Sequence, residues 1–297
     1  MTIEWLAGNR IRGTSAEKPV FGLPSGSVGG WVELGRHVLG STASEVFVDS
    51  LPDKRYYMVL YEDKGEATAQ ARLLRYNSDS GSNYANRLSS NGASESTLSS
   101  QTQHNGWNAN DVTPQFNVWY IANQSGKEKL LISQGVGQST AGAGNAPTRT
   151  EYVGKSTLSA VINRIGVIQN AGVHGVGTTI TVLGWDPADT HTSNFWEELA
   201  SVDASGSSST MDTGSFTAKK YLWIQAYVSG SGTGSETNLD MGLQFNSDTA
   251  TNYSDRLSSN GASDGTSHTR SNLEFMHDRA TAYTGGRWTN GFFINNS

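Results

Sequence analysis

Apolar residues in this chain fall in short runs and alternations, without a sustained i, i+3, i+4 stripe. Arg55 to Tyr61 is a continuous run rich in Tyr, Met and Val. That pattern belongs to a strand covered on both faces or central in a sheet. Leu222 to Val228 repeats it. Leu239 to Phe245 alternates with a period of two, and Gln70 to Tyr76 does so more weakly. Phe116 to Ala122, Leu130 to Ser133 and Thr178 to Leu183 read as further strands. Asn-Gly, Ser-Gly and Gly-Ser pairs separate the runs, and Asn91-Gly92 and Asn260-Gly261 are the strongest hairpin turns. Ser156 to Ile165 is the one segment where a helix competes, and its β-branched residues count against it. Many short strands with regular turns predict an all-β fold of sandwich type.

The sequence repeats itself. Asn83-Tyr84-Ala-Asn-Arg87-Leu-Ser-Ser-Asn91-Gly92-Ala-Ser94 returns as Asn252-Tyr253-Ser-Asp-Arg256-Leu-Ser-Ser-Asn260-Gly261-Ala-Ser263, at an offset of 169 (Arg87 to Arg256). Asn77-Ser78-Asp79 returns as Asn246-Ser247-Asp248 at the same offset. Trp31 to Leu34 pairs with Trp196 to Leu199, and Asp53 to Val59 with Ala218 to Ile224, at an offset of 165 (Trp31 to Trp196). The difference is taken up in the Gly/Ser stretch from Ser229 to Glu236, where a surface loop lengthens at little cost. Val118 to Ser125 resembles Gly291 to Ser297, which pairs Asn123 with Asn296. Residues 126–186 have no second counterpart.

Two tandem β-sandwich domains of jelly-roll-like type follow from this. Residues 1–29 form an N-terminal arm, 30–186 the first repeat, 187–194 a short polar linker, and 195–297 a second repeat that lacks the end of the unit. Its last strand, Trp288 to Ile294, is therefore expected to have one edge not covered by residues 195–287.

Charge and composition narrow the chemistry. A net charge of −6 with only 16% charged residues does not suit a phosphate-binding surface, so no nucleic-acid partner is expected. Cysteine is absent, which removes disulfides and Cys-based zinc sites. No apolar stretch approaches the length of a membrane-spanning helix, and no membrane insertion is expected.

Candidate sites are few. The six histidines show no metal-ligand spacing and read as loop or surface residues. Gly137-Gln-Ser139-Thr-Ala lacks the final glycine of a nucleophile elbow. Glu197 and Glu198, adjacent in an extended run, would diverge to opposite faces. Asn77, Asp79 and Asn83 carry the alternating oxygens of a calcium loop but no bidentate Glu, and a self-capped polar turn is the stronger reading. Trp107 and Trp288, in Gly/Asn-rich surroundings, are the candidates for an exposed, ligand-stacking aromatic. Trp31, Trp119, Trp196 and Trp223 read as core. No catalytic set emerges, and no cofactor is expected.

The order Asn77-x-Asp79-x-Gly81-x-Asn83-Tyr84-x-x-Arg87, the Asn-Gly turn, Thr178-Thr-Ile180-Thr-Val182-Leu183-Gly184 and the arm's Gly8-Asn9-Arg10-Ile11-Arg12-Gly13 resemble repeats in structural proteins of tailed bacteriophages and related marine viral sequences. The resemblance implies jelly-roll modules displayed on virions as capsid decoration, tail or fibre components. It implies a non-enzymatic role, assembly in the host cytoplasm and exposure on the particle exterior. The implied partners are other virion proteins and copies of the chain itself. The alternative is a carbohydrate-binding adhesin or receptor-binding module that grips a host-surface glycan.

Overall fold

A computed structural model describes residues 30–65, 71–105, 114–137, 140–186, 195–196, 198–204, 210–229, 241–258, 262–276 and 286–295. The predicted arm and linker, Trp107 and the Asn260-Gly261 turn lie outside the described residues. The structure is all-β, and no helix occurs among the described residues.

Twelve strands build the larger of two compact units: β1 (Val32–Val38), β2 (Glu45–Val48), β3 (Tyr56–Asp63), β4 (Arg72–Tyr76), β5 (Tyr84–Ser90), β6 (Ser96–Gln101), β7 (His104–Asn105), β8 (Gln115–Ala122), β9 (Lys129–Gly137), β10 (Thr148–Ser156), β11 (Ile165–Gln169) and β12 (Thr179–Trp185). They form an eight-stranded antiparallel sheet in the order β1-β12-β3-β8-β9-β10-β5-β6 and a four-stranded one in the order β2-β11-β4-β7. The sheets share one core. Val46, Leu74, Tyr76, Ile165 and Val167 of the smaller sheet pack with Tyr57, Val59, Tyr61, Trp119, Ile121, Ile180 and Val182 of the larger. This is a β-sandwich.

Sequence pattern explains which strand sits where. The unbroken apolar run of β3 places it between β12 and β8, with both of its faces buried. The alternating sequences of β9 and β10 bury one face and expose the other. Asn91 and Gly92 both adopt the left-handed conformation (φ 54° and 71°), and they turn β5 back into β6. The Arg87 guanidinium, 2.7 Å from the Glu95 carboxylate, spans that turn.

Ser156 to Ile165 is not helical. Side chains from elsewhere hold its backbone extended and irregular between β10 and β11. Asn77 Oδ1 accepts from the N–H groups of Asn163 and Arg164, its Nδ2 donates to the Val161 carbonyl, and Asn123 Oδ1 accepts from the Ile162 N–H. These bonds satisfy backbone groups that a helix would otherwise satisfy internally.

The smaller unit holds β13 (Tyr221–Ser229), β14 (Met241–Leu243), β15 (Tyr253–Leu257), β16 (Gly265–Arg270), β17 (Leu273–Met276) and β18 (Gly286–Ile294). They pair as β13-β18, β14-β17 and β15-β16. The same pairings join β3-β8, β4-β7 and β5-β6 in the larger unit, in the same registers. One alignment needs correction by a residue. The Asn295 N–H donates to the Lys220 carbonyl as the Asn123 N–H does to that of Arg55, so Asn295, not Asn296, is the counterpart of Asn123.

The stretches that answer to β1 and β2 form no strand among the described residues 198–204 and 210–219. In the larger unit β1 is held by β12 and β2 by β11. The described residues of the smaller unit contain no counterpart of either partner. β18 likewise pairs with β13 alone, whereas β8 is flanked by both β3 and β9.

Candidate functional site

The repeated motif is a turn whose Asp-centred and tyrosine bonds are duplicated. Asn77 and Ser78 take left-handed backbone (φ 52° and 56°), as do Asn246 and Ser247 (both 54°). Asp79 Oδ1 accepts from the Gly81 N–H at 2.9 Å, and its Oδ2 accepts from Asn83 Nδ2 at 2.9 Å. Asp248 repeats both bonds with Ala250 and Asn252 at 2.9 and 3.0 Å. Those donors hold the Asp248 carboxyl below its ordinary value. Tyr84 closes the turn from within: its hydroxyl accepts from the Tyr76 N–H at 3.3 Å, as that of Tyr253 does from the Phe245 N–H at 3.0 Å. Both tyrosines are buried.

The three calcium candidates do not converge. Asn77 directs its Oδ1 at the N–H groups of Asn163 and Arg164, while the oxygens of Asp79 face N–H donors of its own loop. Asn83 Oδ1 accepts from the Thr157 hydroxyl at 3.3 Å. A cation in this turn would have to displace those donors. The geometry is that of an Asx-capped turn.

Two histidines read from sequence as loop or surface residues are core residues. His104 is fully buried among Tyr76, Tyr84 and Tyr152, with ring centroids 5.2, 4.9 and 6.2 Å away. Its Nδ1 lies 2.7 Å from Asn86 Oδ1. Gly154 makes room for the ring, since a Cβ there would sit 2.6 Å from Nδ1. Burial lowers the His104 pKa to about 3, so the imidazole is neutral.

His174 is buried as well, and burial lowers its pKa. Its Nε2 faces the Val167 carbonyl at 3.0 Å, which assigns the proton there and lets Nδ1 accept from the Tyr61 hydroxyl at 3.0 Å. Beside it Asp63 forms a fully buried ion pair with Arg72 and accepts from the Thr178 hydroxyl at 3.1 Å. Among the described residues no three His, Asp or Glu side chains are grouped to hold a metal ion.

Two surfaces stand out among the described residues. On the outward face of β9 and β10, Leu130, Ile132, Val136 and Val153 are exposed, and Ile132 stands directly opposite Val153. On one face of the β13–β18 ribbon, three cross-strand rungs follow each other: Trp223 with Phe292, Gln225 with Asn290, Tyr227 with Trp288. The first rung is stacked, with centroids 5.2 Å apart and planes 19° apart. The last is open to solvent, Tyr227 at 66% and Trp288 at 58% exposure. The opposite face turns inward, where Phe293 packs on Phe245 and Phe275.

Sequence reasoning singled out Trp288 but not its companions. Reading Leu222 to Val228 as one apolar run hid its alternation. Trp223, Gln225 and Tyr227 share one face, and Leu222, Ile224, Ala226 and Val228 the other. His104 offers no such signal, because its burial depends on β4, β5 and β10 meeting around it.

No protein-family model matches this chain, and no curated protein matches it.

Proposed function

We propose that the chain is a non-enzymatic structural protein of a virus particle, a capsid decoration, tail or fibre component that acts through protein–protein contacts in a symmetric assembly. The observation that carries the reading is the aliphatic stripe of Leu130, Ile132, Val136 and Val153. Ile132 and Val153 form an exposed apolar rung across two adjacent strands, with Leu130 and Val136 on the same face to either side of it and Gln134 between, and exposed branched side chains so placed suit a protein partner. The flanking charges are of both signs, with Lys155 paired to Glu128 and Arg149 to Glu151, which suits contact with another copy of the same surface. The duplicated turn supports a module that is iterated and not elaborated around one catalytic cleft. The resemblance of that motif to phage structural repeats supports a location on a virion exterior.

Light scattering after size exclusion, together with electron microscopy of the full chain, tests the contact. A closed homo-oligomer is expected, and Ile132→Lys combined with Val153→Glu is expected to dissociate it without unfolding. A monomeric protein, or an assembly indifferent to the double substitution, counts against the stripe. Mass spectrometry and immunogold labelling of particles from a host culture carrying the gene test the location. Recovery only from the soluble fraction of lysed cells would refute it.

A further inference from the structure

The ribbon face of β13–β18 has a built-in comparison inside the same chain. Register equates its three rungs with Met58–Tyr120, Leu60–Val118 and Glu62–Phe116 of β3 and β8. There the middle rung is two aliphatic side chains, both buried. In β13–β18 the same rung is Gln225 and Asn290, and the rung beyond it is two exposed aromatics. An apolar cover suits Leu60 and Val118. Over Gln225 and Asn290 it would bury two amides, each with two N–H donors and a carbonyl, away from partners. The occupant that fits this face must be apolar over the aromatic rings and rich in hydroxyls between them.

We propose that this face binds a neutral glycan. Pyranose rings present C–H faces that stack on Tyr227 and Trp288, and their edges carry hydroxyls that both donate to and accept from Gln225 and Asn290. The rungs run from Trp223 to Tyr227, about 13 Å along the strand, long enough for more than one sugar ring. None of the six side chains is charged, which selects against acidic sugars. Nucleic-acid bases would also stack on the aromatics, but none of these six side chains is a cation to meet the phosphates, and the chain carries a net charge of −6. The inference does not rest on the virion assignment, and the stripe on β9 and β10 plays no part in it.

The test is titration of the full chain with cellohexaose, maltohexaose, laminarihexaose and chitohexaose, followed by tryptophan emission and calorimetry. At least one hexasaccharide is expected to bind with sub-millimolar affinity and to shift the emission. Trp288→Ala is expected to weaken binding by on the order of tenfold or more. Gln225→Leu with Asn290→Val, which copies the middle rung of β3 and β8, is expected to remove it. Should Trp288→Ala fail to fold, Tyr227→Ala makes the same demand at a second exposed position. Failure of every hexasaccharide to bind overturns the proposal, as does binding that survives these substitutions. Loss of self-association in the Gln225→Leu, Asn290→Val variant without any glycan binding would assign the face to a protein instead. The oligomer and particle-labelling experiments can succeed or fail independently of all these results.

Discussion

Acid should destabilise the larger unit through His104, and the smaller unit indicates the substitution that removes the effect. In register His104 corresponds to Leu273, so His104→Leu installs the side chain the repeat already uses at that position. Among the described residues, the groups that face the imidazole are uncharged in the neutral range: Tyr76, Tyr84, Tyr152, Asn86 and the backbone of Gly154. Burial lowers the folded-state pKa from 6.5 to about 3. Between those values the unfolded chain binds a proton that the folded chain does not, so stability falls as pH falls. At pH 4.5, two units below the unfolded value, the loss is about 2.7 kcal/mol at 1.36 kcal/mol per unit. His174 shifts in the same direction and remains in both proteins. Urea unfolding at pH 7.5 and 4.5, followed by tryptophan emission and far-ultraviolet dichroism, supplies the measurement. His104→Leu should be less stable than wild type at neutral pH, because Asn86 loses its partner. Its further loss on acidification should be smaller by about 2.7 kcal/mol. Equal losses in the two proteins would refute the argument.

Two further outcomes follow from packing. Tyr84→Ala should cost about 2–4 kcal/mol in urea unfolding, the range for removing a buried aromatic, while Tyr84→Phe should cost about 1 kcal/mol for the hydroxyl alone. Arg72→Leu should cost about 3–5 kcal/mol by leaving Asp63 charged and buried without its partner, and adding Asp63→Leu should recover much of that loss.

The repeat was legible because duplication preserves short-range bonds. A turn such as Asn77 to Tyr84 depends on bonds between residues a few positions apart, and Asn246 to Tyr253 keeps the Asn, Ser, Asp, Asn and Tyr of that turn while Ser80, Gly81 and Ser82 become Thr249, Ala250 and Thr251. Strands with a strong pattern, such as β3 and β8, were legible for the same reason. What depended on distant chain was not. Ser156 to Ile165 owes its shape to Asn77 and Asn123, far from it in sequence, and no local propensity reports that. The counterparts of β1 and β2 show the converse: similar letters around Trp196 make no strand among the described residues, where no counterpart of β12 or β11 is described to pair with it. For the candidate sites, the exposure of Trp288 was read from its Gly/Asn-rich setting. The partners at Tyr227, Gln225 and Asn290 became visible only once cross-strand register joined two segments more than fifty residues apart.

The pairing of β1 with β12 also bears on the order in which the molecule can fold. Val32 lies opposite Gly184, so the sheet's first strand must wait for a partner about 150 residues away. Translation at roughly 5–20 residues per second leaves β1 unpaired for on the order of ten seconds after it emerges from the ribosome. Loops of that length also raise the contact order, which slows closure of the sheet even when the whole chain is present. The β5–β6 hairpin, whose strands lie only a few residues apart, can form as soon as it emerges. The duplicated turn beside it is then among the earliest structure the nascent chain acquires, and β1 among the last strands of the larger unit to be paired.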